Sequence, residues 1–234
     1  WRLRGTGIGA LGCEGHALRE PGPGEVLVRM QAAAINHRDR AILHGAYPNP
    51  AGIIPFSDGA GEVVATGAGV TEFAAGDRVL TSFYPFWESG PANARNHRAS
   101  LGCEVDGVLA EQVLLPQSAL VAAPPSLSPG EAATLTCAGL TAWSALFTEG
   151  ALRAGQCVLI QGTGGVAVFA LQLAVQAGAR AIVLSASPEK AARAKALGAD
   201  LGSDYRRQPE WSGAVLEATG GEGVSGSAVA LPHR

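Results

Sequence analysis

The chain has 234 residues, 47% hydrophobic and 16% charged, which gives it length and apolar content for two modest domains with packed cores and excludes a disordered polymer. Seventeen basic against twenty acidic residues leave a formal net charge of -3 with no basic run, which excludes a nucleic-acid partner held through its phosphates and favours small-molecule chemistry. Cys13, Cys103, Cys137 and Cys157 are scattered without a C-x-x-C pair, so a disulfide framework is excluded and a cytoplasmic location is expected.

No apolar run reaches the length of a membrane span, and the opening WRLRGTGIGALG lacks a signal-peptide core. Because the chain opens on Trp1 and not Met, a residue or two is expected to precede it. In the first half, Gly and Pro punctuate short alternating runs: EVLVRMQAAAI from Glu25, GEVVATGAGV from Gly61 and DRVLTSF from Asp77. With turn chemistry in PGPGE (21–25) and AAGD (74–77), this rhythm predicts an irregular β-rich domain. The proline cluster in VAAPPSLSPGEAATL places a boundary that divides the chain into 1–125 and 126–234. There Ser128 reads as a helix N-cap, Pro129 as N1 and Glu131 as a first-turn acid.

Beyond the boundary the period changes. GEAATLTCAGLTAWSALF predicts one or two helices, QCVLIQ (156–161) a short buried strand, and GVAVFALQLAVQAG from Gly165 a helix closed by Gly178. RAIVLSAS (180–187) predicts a second strand, and SPEKAARAKALG a helix capped by Ser187 with Pro188 at N1. Strand, helix, strand, helix is the unit of a parallel sheet, so the fold class is α/β.

Between the first of these strands and its helix sits GTGGVA, which matches G-x-G-x-x-G/A where a phosphate-binding turn needs it. Gly162 permits the turn, Gly164 lets backbone approach a pyrophosphate, and Ala167 lets helix and strand pack closely. Thr163, Gly165 and Val166 complete the loop at a helix N-terminus, whose free N–H groups favour an anion. An NAD site usually carries Asp or Glu at the end of the second strand, to hold the ribose 2′-hydroxyl. Here that place reads Leu184-Ser185-Ala186-Ser187. Ser185 and Ser187 can donate hydrogen bonds to a 2′-phosphate, and Lys190, one of two lysines in the chain, lies in the next helical turn. The pattern predicts NADP as cofactor.

With both halves in view, the chain resembles the medium-chain dehydrogenase/reductase superfamily, in its zinc-independent, alcohol-dehydrogenase-like and quinone-oxidoreductase-like branch. The stretches that carry the resemblance are PGPGEVLVR, INHRDRAILHGAYP, IPFSDGAGEVVATGAGVTEF, DGVLAEQVLLP, EAATLTCAGLTAWSAL, VLIQGTGGVAVFALQLA and KAARAKALGAD, in that order from about Pro21 to about Gly223. It implies a GroES-like catalytic domain followed by a Rossmann domain, hydride transfer between a nicotinamide and a carbonyl, alcohol or activated alkene, and a homo-oligomer in intact members. It also implies Lys190 and Tyr205 as 2′-phosphate contacts and Thr141 as a neighbour of the nicotinamide.

Zinc-dependent relatives hold a catalytic metal with Cys, His and Cys; at the matching places this chain has Asn36, Ser57 and Cys137. One thiolate cannot retain zinc, so no metal is expected, and Cys103 alone stands where a structural zinc would need four cysteines. His97 reads as a surface-loop histidine. The family positions nominate Asn36, Tyr47 and Ser57 as site-lining residues that meet a developing charge on substrate oxygen, with His37 and Asp39 nearby. Plain structural roles stand beside these: Asn36 and Asp39 could cap a helix, and Tyr47 before Pro48 could pack a turn.

After Val224 the family pattern requires a buried strand, whereas the chain gives SGSAVALPHR. About three of six Rossmann strands can be drawn, and the segment that completes the catalytic domain in the family has no counterpart. The Rossmann domain is therefore expected to be partial, with the adenosine half of the cofactor site present and the nicotinamide half mostly not. Two readings follow: an NADP(H)-dependent oxidoreductase, or a truncated, inactive protein that binds nucleotide weakly at most.

Overall fold

Alternation of side chains organises the first half of the chain. In the computed structural model, which describes residues 1–207 and 209–229, the chain forms two units, Trp1–Cys137 and a second beginning at Ala138. The first opens with a small antiparallel pair, β1 (Arg2–Leu3) and β2 (Leu11–Gly12). Along β3 (Glu25–Ala34), Val26 and Val28 are fully buried while Glu25 and Leu27 are partly exposed, as expected for a strand with one face on a core. β3 lies between β4 (Asp58–Thr66) and β6 (Gln112–Pro116), and β5 (Arg78–Thr81) and β7 (Leu120–Ala122) extend an antiparallel sheet of order β6-β3-β4-β5-β7. Val26, Val28, Val63, Val79, Leu101, Val108 and Val113 form its core.

A short helix, α1 (His37–Leu43), follows β3. Asn36 is its N-cap, with extended backbone, and donates its N–H to Asp39 Oδ2 at 2.7 Å; buried Ile42 packs with Leu3, Ile53 and Cys103. The helical stretch from Pro129 to Glu149 starts at Ser128, whose hydroxyl accepts from Glu131 N while Glu131 Oε2 accepts from Ser128 N at 2.9 Å, a reciprocal cap. It comprises α2 (Pro129–Ala133), a π-helical segment (Leu135–Gly139), α3 (Leu140–Trp143) and a second π-helical segment (Ser144–Glu149).

The second unit carries a parallel sheet buried on both faces. Its elements are β8 (Cys157–Gln161), α4 (Gly165–Gln176), β9 (Arg180–Ser185), α5 (Pro188–Ala196), β10 (Leu201–Asp204), α6 (Trp211–Ala218) and β11 (Gly226–Val229). Val158, Ile160 and Val183 pack on one side with Ala167 and Leu171 of α4; Leu159, Ile182 and Leu184 pack on the other with Val215 of α6. Two-sided burial explains why β8 and β9 read as continuous apolar runs.

The strand order is β10-β9-β8-β11, every pair parallel. This corrects the expectation of about three Rossmann strands: Gly226–Val229 forms a fourth, on the opposite side of β8 from β9. The turn before it is anchored, with Thr219 Oγ1 accepting from Gly223 N at 3.0 Å and Ser225 N donating to Cys157 O at 2.8 Å, so the chain is delivered alongside β8. The last five residues lie outside the described part. Among the described residues, no helix is long and apolar enough to cross a membrane.

Candidate functional site

The glycine loop sits where the strand order reverses, at the carboxyl end of β8 with β9 on one side and β11 on the other. In open α/β sheets this fork is where ligands bind. Gly162 has φ 114°, a left-handed conformation that a side chain would strain, and its N–H bonds Leu184 O at 2.9 Å, tying the turn to β9. α4 runs for twelve residues from Gly165, with no side-chain cap on Gly164 and no acid in its first turn. Among the described residues no side chain caps its first N–H groups, and the positive dipole end suits an anion. Ala167 is buried between helix and sheet, while Thr163 and Val166 are half-buried and Gly165 exposed.

At the end of β9 the two serines are not alike. Ser185 is fully buried, and its hydroxyl donates to Ser187 O at 3.0 Å and accepts from Ser187 N at 3.1 Å. Ser187 is the N-cap of α5 and accepts from Lys190 N, which leaves the Lys190 side chain exposed on the first turn. Tyr205 follows β10, donates its N–H to Ser185 O at 3.0 Å and is partly exposed, with Arg206 and Arg207 exposed after it. The described residues thus place Lys190 and Tyr205 around the end of β9. Thr141, on α3, is exposed.

In the first unit, the structure brings Asn36, Ser57 and Cys137 into one polar cluster. Ser57 and Asp58 are buried at the start of β4; the Ser57 hydroxyl donates to Asp58 Oδ1 at 2.6 Å, and Cys137 N donates to Asp58 Oδ2 at 2.9 Å. Thr81 Oγ1 donates to Ser57 O at 2.7 Å and accepts from Gly59 N, and Thr136 donates to Thr81 O. Asp39, only 1% exposed, is the second carboxylate. Asp39 Oδ1 is buried with no hydrogen-bond partner among the described residues, while the Asn36 amide faces Asp58.

Burial pushes the Asp39 carboxyl up to about 6, with the charge of Asp58 adding to it and the Asn36 N–H and Arg38 opposing. Burial also raises Asp58, against the Ser57 hydroxyl, the Asn36 amide, the Cys137 N–H and Arg38. Arg38 itself is turned toward Ser100 and Leu101 O, with its guanidinium 4.5 Å from the centre of the Phe83 ring.

The backbone entering this cluster is strained. Phe56 has φ 72°, unusual for a bulky residue, and is clamped from behind by Gly102 and Gly107. A Cβ on Gly107 would stand 2.0 Å from Phe56 O, and Val108 N donates to that carbonyl at 2.9 Å. Only glycine admits the contact that aims Ser57 and Asp58 inward.

Tyr47 is not drawn into the cluster. It is 47% exposed on the turn after α1, where its carbonyl accepts from Asn49 Nδ2 at 3.1 Å. The helix-capping role weighed for Asn36 and Asp39 is realised. Asp58 was missed in the sequence, although an acid at the head of an apolar strand, in SDGAGEVV, is a legible signal of a special site. His97 is exposed, but stacks on Tyr84 with ring centres 4.5 Å apart and meets Trp87 edge-on. Among the described residues, no group of three His, Cys, Asp or Glu side chains converges to hold a metal.

Comparison with known proteins agrees with this geometry. Residues 22–125 match the alcohol dehydrogenase GroES-like domain family, and residues 165–232 match the zinc-binding dehydrogenase family. A zinc-type alcohol dehydrogenase-like protein of Schizosaccharomyces pombe is 44% identical over 86% of this chain and 59% of its own length. The crystal structure of an NAD-dependent alcohol dehydrogenase superposes with a TM-score of 0.85 at 36% identity, over 95% of this chain and 68% of that one. A quinone oxidoreductase of Pseudomonas syringae gives a TM-score of 0.77 at 33% identity, over 95% and 63%. The chain spans about three fifths of the length of the curated relatives it matches.

Proposed function

The chain belongs to the medium-chain dehydrogenase/reductase superfamily, and from that premise we propose that it is a zinc-independent, NADP(H)-dependent oxidoreductase acting on a carbonyl, alcohol or activated alkene. The observation that carries the reading is the loop Gly162–Val166 at the fork of the sheet, followed at the end of β9 by Ser185-Ala186-Ser187 with no carboxylate to repel a 2′-phosphate. The loop and the uncapped first turn of α4 hold the pyrophosphate; Ser187, Lys190 and Tyr205 take the 2′-phosphate, with Ser185 fixing the turn that presents them. Thr141 is assigned to the nicotinamide. When bound, the nicotinamide supplies or accepts the hydride.

The catalytic zinc of related enzymes does not fit the residues here. Asn36 and Ser57 are neutral oxygen and nitrogen donors in the places of a thiolate and an imidazole, and Asp58 is already bonded to Ser57 and Cys137 N. Substrate oxygen is met by hydrogen-bond donors instead: Asn36 and Ser57 are assigned from the cluster, where the Ser57 hydroxyl would have to turn from Asp58, and Tyr47 from the exposed turn after α1, outside it.

Fluorescence titration with NADPH and NADH tests the cofactor, and comparable affinities would overturn the NADP assignment. Turnover of NADPH with a panel of quinones, enones, aldehydes and alcohols, unchanged after dialysis against a chelator, is the expected activity. A protein that binds NADPH but turns over none of them is a nucleotide binder only.

A further inference from the structure

We propose that the Asp58 carboxylate is the anion around which the first-unit cluster is built, taking hydrogen-bond donors from the three positions that hold a catalytic zinc in metal-dependent relatives. The centre is thus inverted in sign and admits no cation. The inference goes beyond the cofactor and substrate readings and depends on neither, since every contact it uses lies within the first unit.

A zinc site turns lone pairs inward, toward the metal. Here the matching positions turn protons inward. Ser57 donates its hydroxyl to Asp58 Oδ1 at 2.6 Å, Cys137 offers its backbone N–H to Oδ2 at 2.9 Å, and the Asn36 amide faces the same carboxylate. These residues come from the N-cap of α1, the approach to β4 and the π-helical segment Leu135–Gly139, and one fully buried side chain joins them. Burying a carboxylate is costly unless donors surround it. Both oxygens of Asp58 already accept, so the ionised form is the one its neighbours complete. Asp39, by contrast, keeps an oxygen with no partner among the described residues.

The surrounding backbone fixes this arrangement. Thr81 Oγ1 brackets Asp58, donating to Ser57 O at 2.7 Å and accepting from Gly59 N at 2.9 Å. Thr136 donates to Thr81 O at 2.8 Å, which sets the neighbouring Cys137 beside the carboxylate. On the other side Asp58 is the register partner of Ala34 on β3, two residues before Asn36. A cation entering here would meet the positive ends of three groups. The Ser57 hydroxyl could turn, but the Cys137 N–H is fixed by its backbone and can only donate.

Nitrogen-15 NMR on the full chain reads the centre with no ligand added. The Cys137 amide proton, bonded to a carboxylate, is expected at low field and slow to exchange. Asp58→Asn should move it upfield and speed its exchange by about 10- to 100-fold, as the loss of a charge-assisted bond implies. Ser57→Ala removes one donor and leaves the charge to the others, so the same proton should move further downfield. That variant carries the test if Asp58→Asn does not fold. Cobalt(II) alone, added to the wild type, should give no thiolate charge-transfer absorption from Cys137. A Cys137 proton that neither variant moves, or a cobalt–thiolate band that Cys137→Ser abolishes, would overturn the proposal, whatever the nucleotide titrations and turnover assays show.

Discussion

Replacing Asp39 with Asn should stabilise the protein at neutral pH. In the folded state the carboxyl is raised from 3.8 to about 6, so between those values the folded chain binds more protons than the unfolded one. Stability therefore falls as pH rises through that window, and the full cost is present above it. A shift of roughly two units corresponds to about 3 kcal/mol at pH 7.5 and about 1 kcal/mol at pH 4.5. Asn cannot ionise, yet keeps an oxygen to accept the Asn36 N–H, so Asp39→Asn removes this cost and retains the cap. Glu25, held at about 2 chiefly by its bond to Arg19, loses its own contribution as pH falls below 4.5, but does so equally in both proteins. Urea denaturation of wild type and variant at pH 7.5 and 4.5 gives the difference. The reasoning is refuted by a variant less stable than wild type at pH 7.5, or by an equal difference at the two values.

Lys190→Ala should weaken NADPH binding by about 10- to 100-fold and leave NADH unchanged, since a charge-assisted contact is worth about 1.5–3 kcal/mol; equal losses for both nucleotides would contradict the assignment. Gly162→Ala places a side chain at φ 114° and should cost about 1–3 kcal/mol of stability while weakening both nucleotides, measured by thermal melts and titration. Gly107→Ala sets a methyl against Phe56 O and should destabilise by about 3 kcal/mol or more, and a melt within 1 °C of wild type would show that the loop simply moves aside.

The helices from Pro129 onward were legible because their signals are local. Ser128 with Pro129, Ser187 with Pro188, and Gly178 at φ 73° mark helix ends by the chemistry of one turn, and the structure places caps at those residues. β11 was missed for the opposite reason. Four residues paired to β8 alone show no alternation, and what places them is the anchoring of the preceding turn by Thr219 and Cys157, a tertiary fact. The first-unit cluster was legible by residue type at Asn36 and Ser57 but not in its energetics. Nothing in the sequence says that Asp58 lies near Asp39, or that one Asp39 oxygen is left without a partner. At Ser185, likewise, composition supplies a hydroxyl, while burial determines that it bonds its own turn.

Gly226–Val229 contributes only four residues, yet it changes what kind of object the second sheet is. Without it, β8 would be a border, open to solvent along one side like the rim of any sheet. With it, β8 becomes an interior strand, and the helices on its two sides must leave in opposite directions and open a wedge between them. The wedge needs only β9, β8 and β11, and in the order β10-β9-β8-β11 the last of these supplies its second side. Shortening the chain by these residues would thus remove a place, not an interaction: the loop at Gly162 would keep its shape and lose the second wall it faces.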